Sequence, residues 1–213
     1  MARLFLVRHG ENEQGGSGRY WGHTDVPLSP AGFKQAEALR DRLGKEEIHG
    51  IYSSDLQRAL STAEVVASAH SVEVVPCSAL REINFGEWEG MTFEEIEKRF
   101  PKAACHWTGR EVERGFPGGE RLRDLTRRTG DFLGQLRKHP PEQTVLVVAH
   151  SGPLRVMLCR LLRVSPKRYW QIRLDLASLT ILETYLEGAI LSLLNDTCHL
   201  HLVWRKTWAS SAY

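Results

Sequence analysis

Leu4-Phe5-Leu6-Val7-Arg8-His9-Gly10 is a short apolar run, partly β-branched, that stops abruptly at a cation, an imidazole and a glycine. Such a run signals a strand buried on both faces of a parallel sheet. Thr144-Val145-Leu146-Val147-Val148-Ala149-His150-Ser151-Gly152 repeats the arrangement: an apolar strand, then a histidine, then the residues that open a helix. If both strands run parallel in one sheet, both histidines reach the same edge. Ligands of open α/β sheets bind in the crevice beyond the carboxyl ends of the strands, so that edge is the expected active site.

Between these two strands the pattern alternates helix and strand. A polar loop follows the first strand and contains Gly15-Gly16-Ser17-Gly18 and Tyr20-Trp21-Gly22-His23-Thr24-Asp25; its glycines lack the spacing of a dinucleotide or phosphate-loop fingerprint. Ser29 caps a helix with Pro30 in its first position and Phe33, Ala36, Leu39 and Leu43 as its buried stripe. Gly50-Ile51-Tyr52-Ser53 reads as a second strand, followed by a helix from Ser54 or Asp55 whose apolar positions are Leu56, Ala59, Leu60, Ala63 and Val66. Arg58 falls in its first turn, where the helix dipole disfavours a cation, and such breaks of a local rule are expected at functional positions.

Val72-Glu73-Val74-Val75 is a third strand, and residues 80–90 form a loop crowded with carboxylates and aromatics. Thr92 and Glu95 make a capping box for a helix that ends at Pro101. Residues 102–119 read as an irregular, lid-like excursion over the sheet edge, holding Trp107 and Phe116. Leu122, Leu125, Phe132 and Leu136 set a long amphipathic helix, and Pro153 opens another that carries Leu154, Met157, Leu158 and Leu161. Residues 179–183 and 189–194 are two further strands joined at Glu187-Gly188 in an antiparallel hairpin. The expectation is one α/β domain over residues 1–213: a three-layer sandwich, a mostly parallel sheet with helices on both faces. The tail at 204–213, with Trp204, Trp208 and Tyr213, is either partly disordered or a contact with a second subunit in a homodimer.

The bulk numbers exclude several classes. The chain has 213 residues, 42% of them hydrophobic and 25% charged, an ordinary globular composition. A net charge of +2 with both signs interspersed offers no block that would track a nucleic-acid backbone. Cys77, Cys105, Cys159 and Cys198 have neither disulfide-framework nor zinc-clip spacing, and reduced thiols are expected. His199-x-His201 is the one metal-like pair and lacks further ligands at suitable spacing, so neither metal nor cofactor is expected. No apolar run approaches membrane length and no leader pattern opens the chain; a cytoplasmic protein with no membrane partner is expected.

His9, Arg8, Arg58, His150 and a glutamate together suggest one chemistry. An unprotonated imidazole nitrogen is a good nucleophile toward phosphorus. Two guanidinium forks match a tetrahedral phosphoryl group and stabilise its charge during transfer, and His150 at a helix start adds a third donor. The leaving alkoxide still needs a proton, which a carboxylic acid can supply. Glu82, Glu11, Glu87 and Glu89 all qualify on composition.

These residues resemble the histidine phosphatase superfamily, its phosphoglycerate-mutase-like branch. Arg8-His9-Gly10-Glu11 resembles the family signature, residues 52–59 its second arginine segment, Leu80-Arg81-Glu82 its acid, and Ala149-His150-Ser151-Gly152 its second histidine. The resemblance implies that His9 is the phosphorylated nucleophile, Arg8, Arg58 and His150 the phosphate pocket, and Glu82 the proton donor. Residues 83–92 and 195–200 look like the small phosphatases, α-ribazole phosphatase and metal-independent phosphoserine phosphatases among them. A small phosphorylated metabolite is then the substrate, hydrolysed through a phosphohistidine. A phosphoglycerate mutase, typically longer, is the alternative, and a non-catalytic phospho-ligand module would not need the acid. The family's Trp-Asn pair after the signature is absent here, which leaves Asn12 or Ser17 as its replacement; Gly22, His23 and Ser151 complete the expected substrate contacts.

Overall fold

The computed structural model describes residues 2–108 and 115–200; the expected tail at 204–213 and His201 lie outside the described residues. Six strands form one sheet in the order β3-β2-β4-β1-β5-β6. They are β1 (Arg3–Arg8), β2 (Gly50–Ser53), β3 (Val74–Pro76), β4 (Thr144–Ala149), β5 (Leu179–Tyr185) and β6 (Gly188–Asp196). β1, β2, β3 and β4 pair in parallel, β5 runs antiparallel to β1, and β6 antiparallel to β5.

Strand alternation builds the two faces. Leu4 and Leu6 of β1, with Val145, Val147 and Ala149 of β4, pack against α5 (Leu122–Gln135) and α6 (Ser151–Leu161) through Phe132, Leu154, Met157 and Leu158. Phe5, Val7, Leu146 and Val148 point the other way, onto α1 (Pro30–Leu43) and α2 (Gln57–Ala67) through Leu39, Leu43, Ala59, Ala63 and Val66. The result is the three-layer α/β architecture that the continuous apolar strands require. Each fully buried Leu or Val here contributes about 1.5–3 kcal/mol of transfer free energy.

Several local expectations shift. Phe33 is 43% exposed. The buried face of α1 runs Gly32, Ala36, Leu39, Leu43, and Phe33 lies one residue, about 100°, round the helix. Strand β3 starts at Val74 rather than Val72, since its partners are only Ile51 to Ser53 of β2. Helix α2 begins at Gln57, with Leu56 rather than Ser54 or Asp55 as its N-cap, and Leu60 is only half-buried. Helix α6 begins at Ser151, two residues before Pro153, with His150 as its N-cap. The hairpin strands each extend beyond their expected ends.

The largest correction falls on residues 102–119. The Thr92–Glu95 capping box opens α3 (Phe93–Arg99) as expected, but Pro101 starts a further helix, α4 (Pro101–Thr108). Proline has no N–H to lose in a first turn, so one residue both ends α3 and opens α4. Trp107 of α4 meets Trp88 and Phe116 edge-on or tilted, at ring separations of 6.3 and 5.1 Å, and Tyr20 at 6.5 Å. This aromatic cluster packs the excursion onto the loop at 80–90.

Close backbone contact fixes where the loop after β1 crosses α1. A Cβ added at Gly32 would lie 2.0 Å from the Glu11 carbonyl oxygen, whereas one at Gly134 of α5 would meet nothing within 4 Å. Gly32→Ala is therefore expected to overpack by about 1–3 kcal/mol and lower the melting temperature by roughly 2–12 °C. Gly134→Ala, at a helical position, is expected to raise it slightly, by about 0.5–1 kcal/mol of stability. Thermal denaturation of the two variants checks both signs.

Candidate active site

The register of two neighbouring strands brings the histidines together. Arg8 of β1 lies opposite Ala149 of β4, so His9 and His150 leave the sheet side by side, and the His9 N–H donates to the Ala149 carbonyl at 3.0 Å. Their ring centroids are 4.9 Å apart at an interplanar angle of 60°. Helices α1 and α6, which follow β1 and β4, pack on opposite faces of the sheet. The crevice therefore opens at a topological switch point, where α/β folds bind ligands.

Each imidazole is held in one tautomer. His9 Nδ1 lies 2.6 Å from the Gly10 carbonyl oxygen, which can only accept, so Nδ1 carries the proton and Nε2 keeps its lone pair. Burial, reinforced by the Arg58 and Arg8 cations, holds the His9 pKa well below its ordinary value of 6.5, and the ring is neutral. His150 Nε2 lies 2.9 Å from the Ser54 hydroxyl, which also accepts the Leu56 N–H at 3.3 Å. Leu56 N–H can only donate, so among the described residues Nε2 is the acceptor offered to the buried Ser54 O–H, and with Nε2 accepting, His150 Nδ1 carries the proton. Nδ1 is buried with no hydrogen-bond partner among the described residues. His150 is also neutral, through burial and then Arg58.

Both arginines are held against carbonyls, Arg58 buried and Arg8 half-buried. Arg58 is fully buried at the start of α2, with Nη1 donating to Thr24 O at 3.0 Å and Nη2 to Gly22 O at 2.7 Å. Arg8 Nη1 donates to Leu174 O at 2.7 Å, and its buried Nε has no partner. The carbonyl dipoles hold each guanidinium in place without cancelling its charge. Glu89 in turn holds the loop that cages Arg58, its two oxygens accepting the N–H groups of Gly22, His23, Thr24 and Phe85 and the Thr24 hydroxyl at 2.7–3.1 Å. Burial works to raise the Glu89 pKa, but the hydrogen bonds from Thr24, His23 and Gly22 outweigh it and hold it below the ordinary value.

Four glutamates competed on composition, and the structure separates them. Glu82 is buried at the start of α6, accepting Gly152 N–H at 3.0 and 3.2 Å, Ile83 N–H at 2.9 Å and the Ser151 hydroxyl at 3.1 Å. Its backbone is clamped by Arg128, which donates to the carbonyls of Ala79, Arg81 and Glu82 at 2.6–2.9 Å and pairs with Glu120 at 2.9 Å. Glu89 is committed to its loop, Glu11 accepts the Ser29 hydroxyl at 2.9 Å, and Glu87 is exposed.

A cleft of about 290 Å³ opens over these groups, lined by Arg8, His9, Arg58, Glu82 and Ser151 on its inner side. Its outer wall includes Asn12, Gln14, Ser17, Arg19, Tyr20, Trp21, Phe85 and Leu176. Both candidate replacements for the missing loop asparagine, Asn12 and Ser17, are thus in the cleft. His150, Gly22 and His23 are not among its lining: His150 is fully buried against the His9 ring, Gly22 is a partner of Glu89 and Arg58, and His23 Nε2 faces Glu120 at 4.0 Å.

Strand-end reasoning could have found Ser54, which follows β2 as His9 follows β1. It could not have found Glu89, Glu120 or Arg128, which act across long sequence separations. Among the described residues Asp196, Cys198 and His199 bring ligand atoms within 4.8 Å of one another, outside the cleft. His199 Nε2 donates to Ala177 O, and the Ala177 N–H to His9 O, so this segment supports the floor of the site. No helix among the described residues is long and apolar enough to cross a membrane.

Comparison with known proteins agrees with this geometry. A family model described as histidine phosphatase superfamily (branch 1) matches residues 4–197. The chain is 38% identical over 200 residues to phosphoserine phosphatase 1 of Hydrogenobacter thermophilus, covering 94% of this chain and 95% of that protein. It is 30% identical over 204 residues to the adenosylcobalamin/alpha-ribazole phosphatase of Salmonella typhimurium, covering 95% and 98%. The crystal structure of the alpha-ribazole phosphatase from Shigella flexneri superposes with a TM-score of 0.84 at 28% identity, covering 91% and 96%. By sequence and by fold, the chain belongs to branch 1 of the histidine phosphatase superfamily.

Proposed function

We propose that the protein is a phosphomonoesterase that hydrolyses a small phosphorylated metabolite through a phosphohistidine at His9, without a metal. The observation that carries this reading is the tautomer of His9. Its Nδ1 proton is tied to Gly10 O, which leaves a neutral Nε2 lone pair on a ring that lines the cleft together with Arg8 and Arg58. In the first step Nε2 attacks phosphorus, the bond to the ester oxygen breaks, and Glu82 in its acid form protonates the leaving alkoxide. In the second, the Glu82 carboxylate takes a proton from water as its oxygen attacks phospho-His9, releasing phosphate and restoring the ring. In this reading Arg8, Arg58 and the His150 Nδ1–H serve the equatorial oxygens, where charge is concentrated during transfer. Asn12 and Ser151 are the proposed further contacts, and Gly22 acts through the Arg58 cage.

The outer wall narrows the alcohol. Besides Arg8 and Arg58, the described lining holds one cation, Arg19, and it is tied to Glu95 at 2.7 and 3.2 Å and to Gly90 O at 2.6 Å. A second phosphate or a carboxylate would find no free partner there, which weighs against a bisphosphate-dependent mutase. Tyr20, Trp21, Phe85 and Leu176 suit an uncharged, partly aromatic alcohol, the class of α-ribazole phosphate rather than phosphoserine. The four unbridged thiols fit a cytoplasmic enzyme.

The test is phosphate release from α-ribazole phosphate, phosphoserine, 3-phosphoglycerate and an aryl phosphate with a chelator present. Turnover unaffected by the chelator is expected, with kcat/KM for the α-ribazole ester at least about tenfold above phosphoserine, because the latter's charged groups lose water without gaining partners. A requirement for metal, or phosphoryl retention on a bisphosphorylated primer, contradicts the reading.

The acid role of Glu82 has its own signature. General acid catalysis contributes roughly 10²–10⁴-fold, so Glu82→Gln should lose about that much on an alkyl phosphate and far less on an aryl phosphate whose phenolate leaves unaided. Equal losses on both substrates move the acid elsewhere.

A further inference from the structure

At the opposite end of the sheet, where β1 begins rather than ends, lies a larger cleft of about 510 Å³, within the range of small-molecule sites. Its apolar floor includes Leu4, Leu136 and Leu161, and three arginines line it: Arg137, Arg160 and Arg163. None of the three has an ion-pair partner among the described residues. Asp131 and Glu187 also border the cleft, so its formal charge stays positive.

All three arginines are exposed, and two of them lie close to neighbouring backbone. Arg160 lies against the α5 backbone at Gly130, where an added Cβ would fall 2.6 Å from Nη1 and 3.0 Å from Cζ. Arg163 is more telling. Helix α6 closes with Val164 N–H bonded to Cys159 O at 2.8 Å and Arg163 N–H to Arg160 O at 3.3 Å, which makes Arg163 the left-handed C′ residue of a Schellman motif. Its φ is +56°, in a position that glycine normally takes. The chain thus accepts backbone strain to keep a guanidinium at this corner, near Gly188 of the β5–β6 turn, whose Cβ position would be 3.9 Å from Arg163 Nε. A local rule broken without a packing gain points to a use.

We propose that this cleft is a second anion site, distinct from the catalytic one, that binds a small soluble phosphorylated metabolite. Guanidinium forks from the 3-10 turn after α5 (Leu136–Lys138), from α6 and from the α6 C′ corner hold its phosphate oxygens, and the leucine floor takes its apolar part. Leu186, 90% exposed in the β5–β6 turn, stands at the rim to cover it.

The strain at Arg163 supplies the test. Titration of the full chain with inorganic pyrophosphate, followed by methyl NMR, should shift Leu161 and Leu186 saturably, while Leu176 reports the catalytic cleft separately. Arg163→Gly should raise the melting temperature by relieving the left-handed residue, yet weaken the Leu161 and Leu186 response at least about tenfold, the loss expected for one charge-assisted contact. The Leu176 response should stay as in the wild type. An unchanged response in Arg163→Gly overturns the site, as does a wild-type response that chloride reproduces at equal ionic strength. Arg163-dependent sedimentation with phosphatidylglycerol vesicles, without a saturable pyrophosphate response, overturns the soluble ligand in favour of a lipid headgroup.

Discussion

The pairing of Arg8 with Ala149 across β1 and β4 is the constraint on which the site depends. A slip of one residue would exchange the faces of each strand and bury His9 or His150 in a leucine layer. Polarity along these strands does not set the register, since both are apolar on both faces; it is held by the fit of Leu4 and Leu6 in one layer and Phe5 and Val7 in the other, and by the polar residues that end each strand. Two imidazoles 4.9 Å apart are therefore a by-product of core packing, and catalytic geometry inherits the rigidity of the sheet.

Around that pair the protein buries positive charge without neutralising it. Arg58 faces carbonyl oxygens of the 21–24 loop, Arg8 that of Leu174, and Glu82 is occupied by the Gly152 amide of α6, the Ile83 amide and the Ser151 hydroxyl. Burying a cation against dipoles alone is costly, and the cost is carried by the surrounding network: Glu89 under the Arg58 cage, Arg128 and Glu120 under the Glu82 segment. Under the proposed function, a phosphoryl group entering the cleft would meet donors that need no reorganisation.

What could be read in the residues follows from range. The strand ends, the parallel order and both histidines were legible because continuous apolar runs and the residues that stop them are local signals. Arg58 was legible as a cation in a first turn where the dipole disfavours it. From residue pattern alone the choice among four glutamates was not; the resemblance of Leu80-Arg81-Glu82 named Glu82, whose burial and contacts with Ser151 and Gly152 depend on residues far along the chain. Neither was Phe33, misplaced by one residue of helical phase, nor α4, because Pro101 serves two helices at once. Trp107 belongs to the excursion expected as a lid over the sheet edge; its ring lies in the Trp88–Phe116 cluster and meets the cleft lining at Tyr20.

The most direct measurement is to quench the reaction with a good substrate on the millisecond scale and map the phosphoryl group. The account predicts an acid-labile, base-stable phosphoryl group on Nε2 of His9, because Nδ1 is held by Gly10 O, with no adduct and no turnover in His9→Ala. An adduct on another residue, or undiminished turnover by His9→Ala, would contradict it.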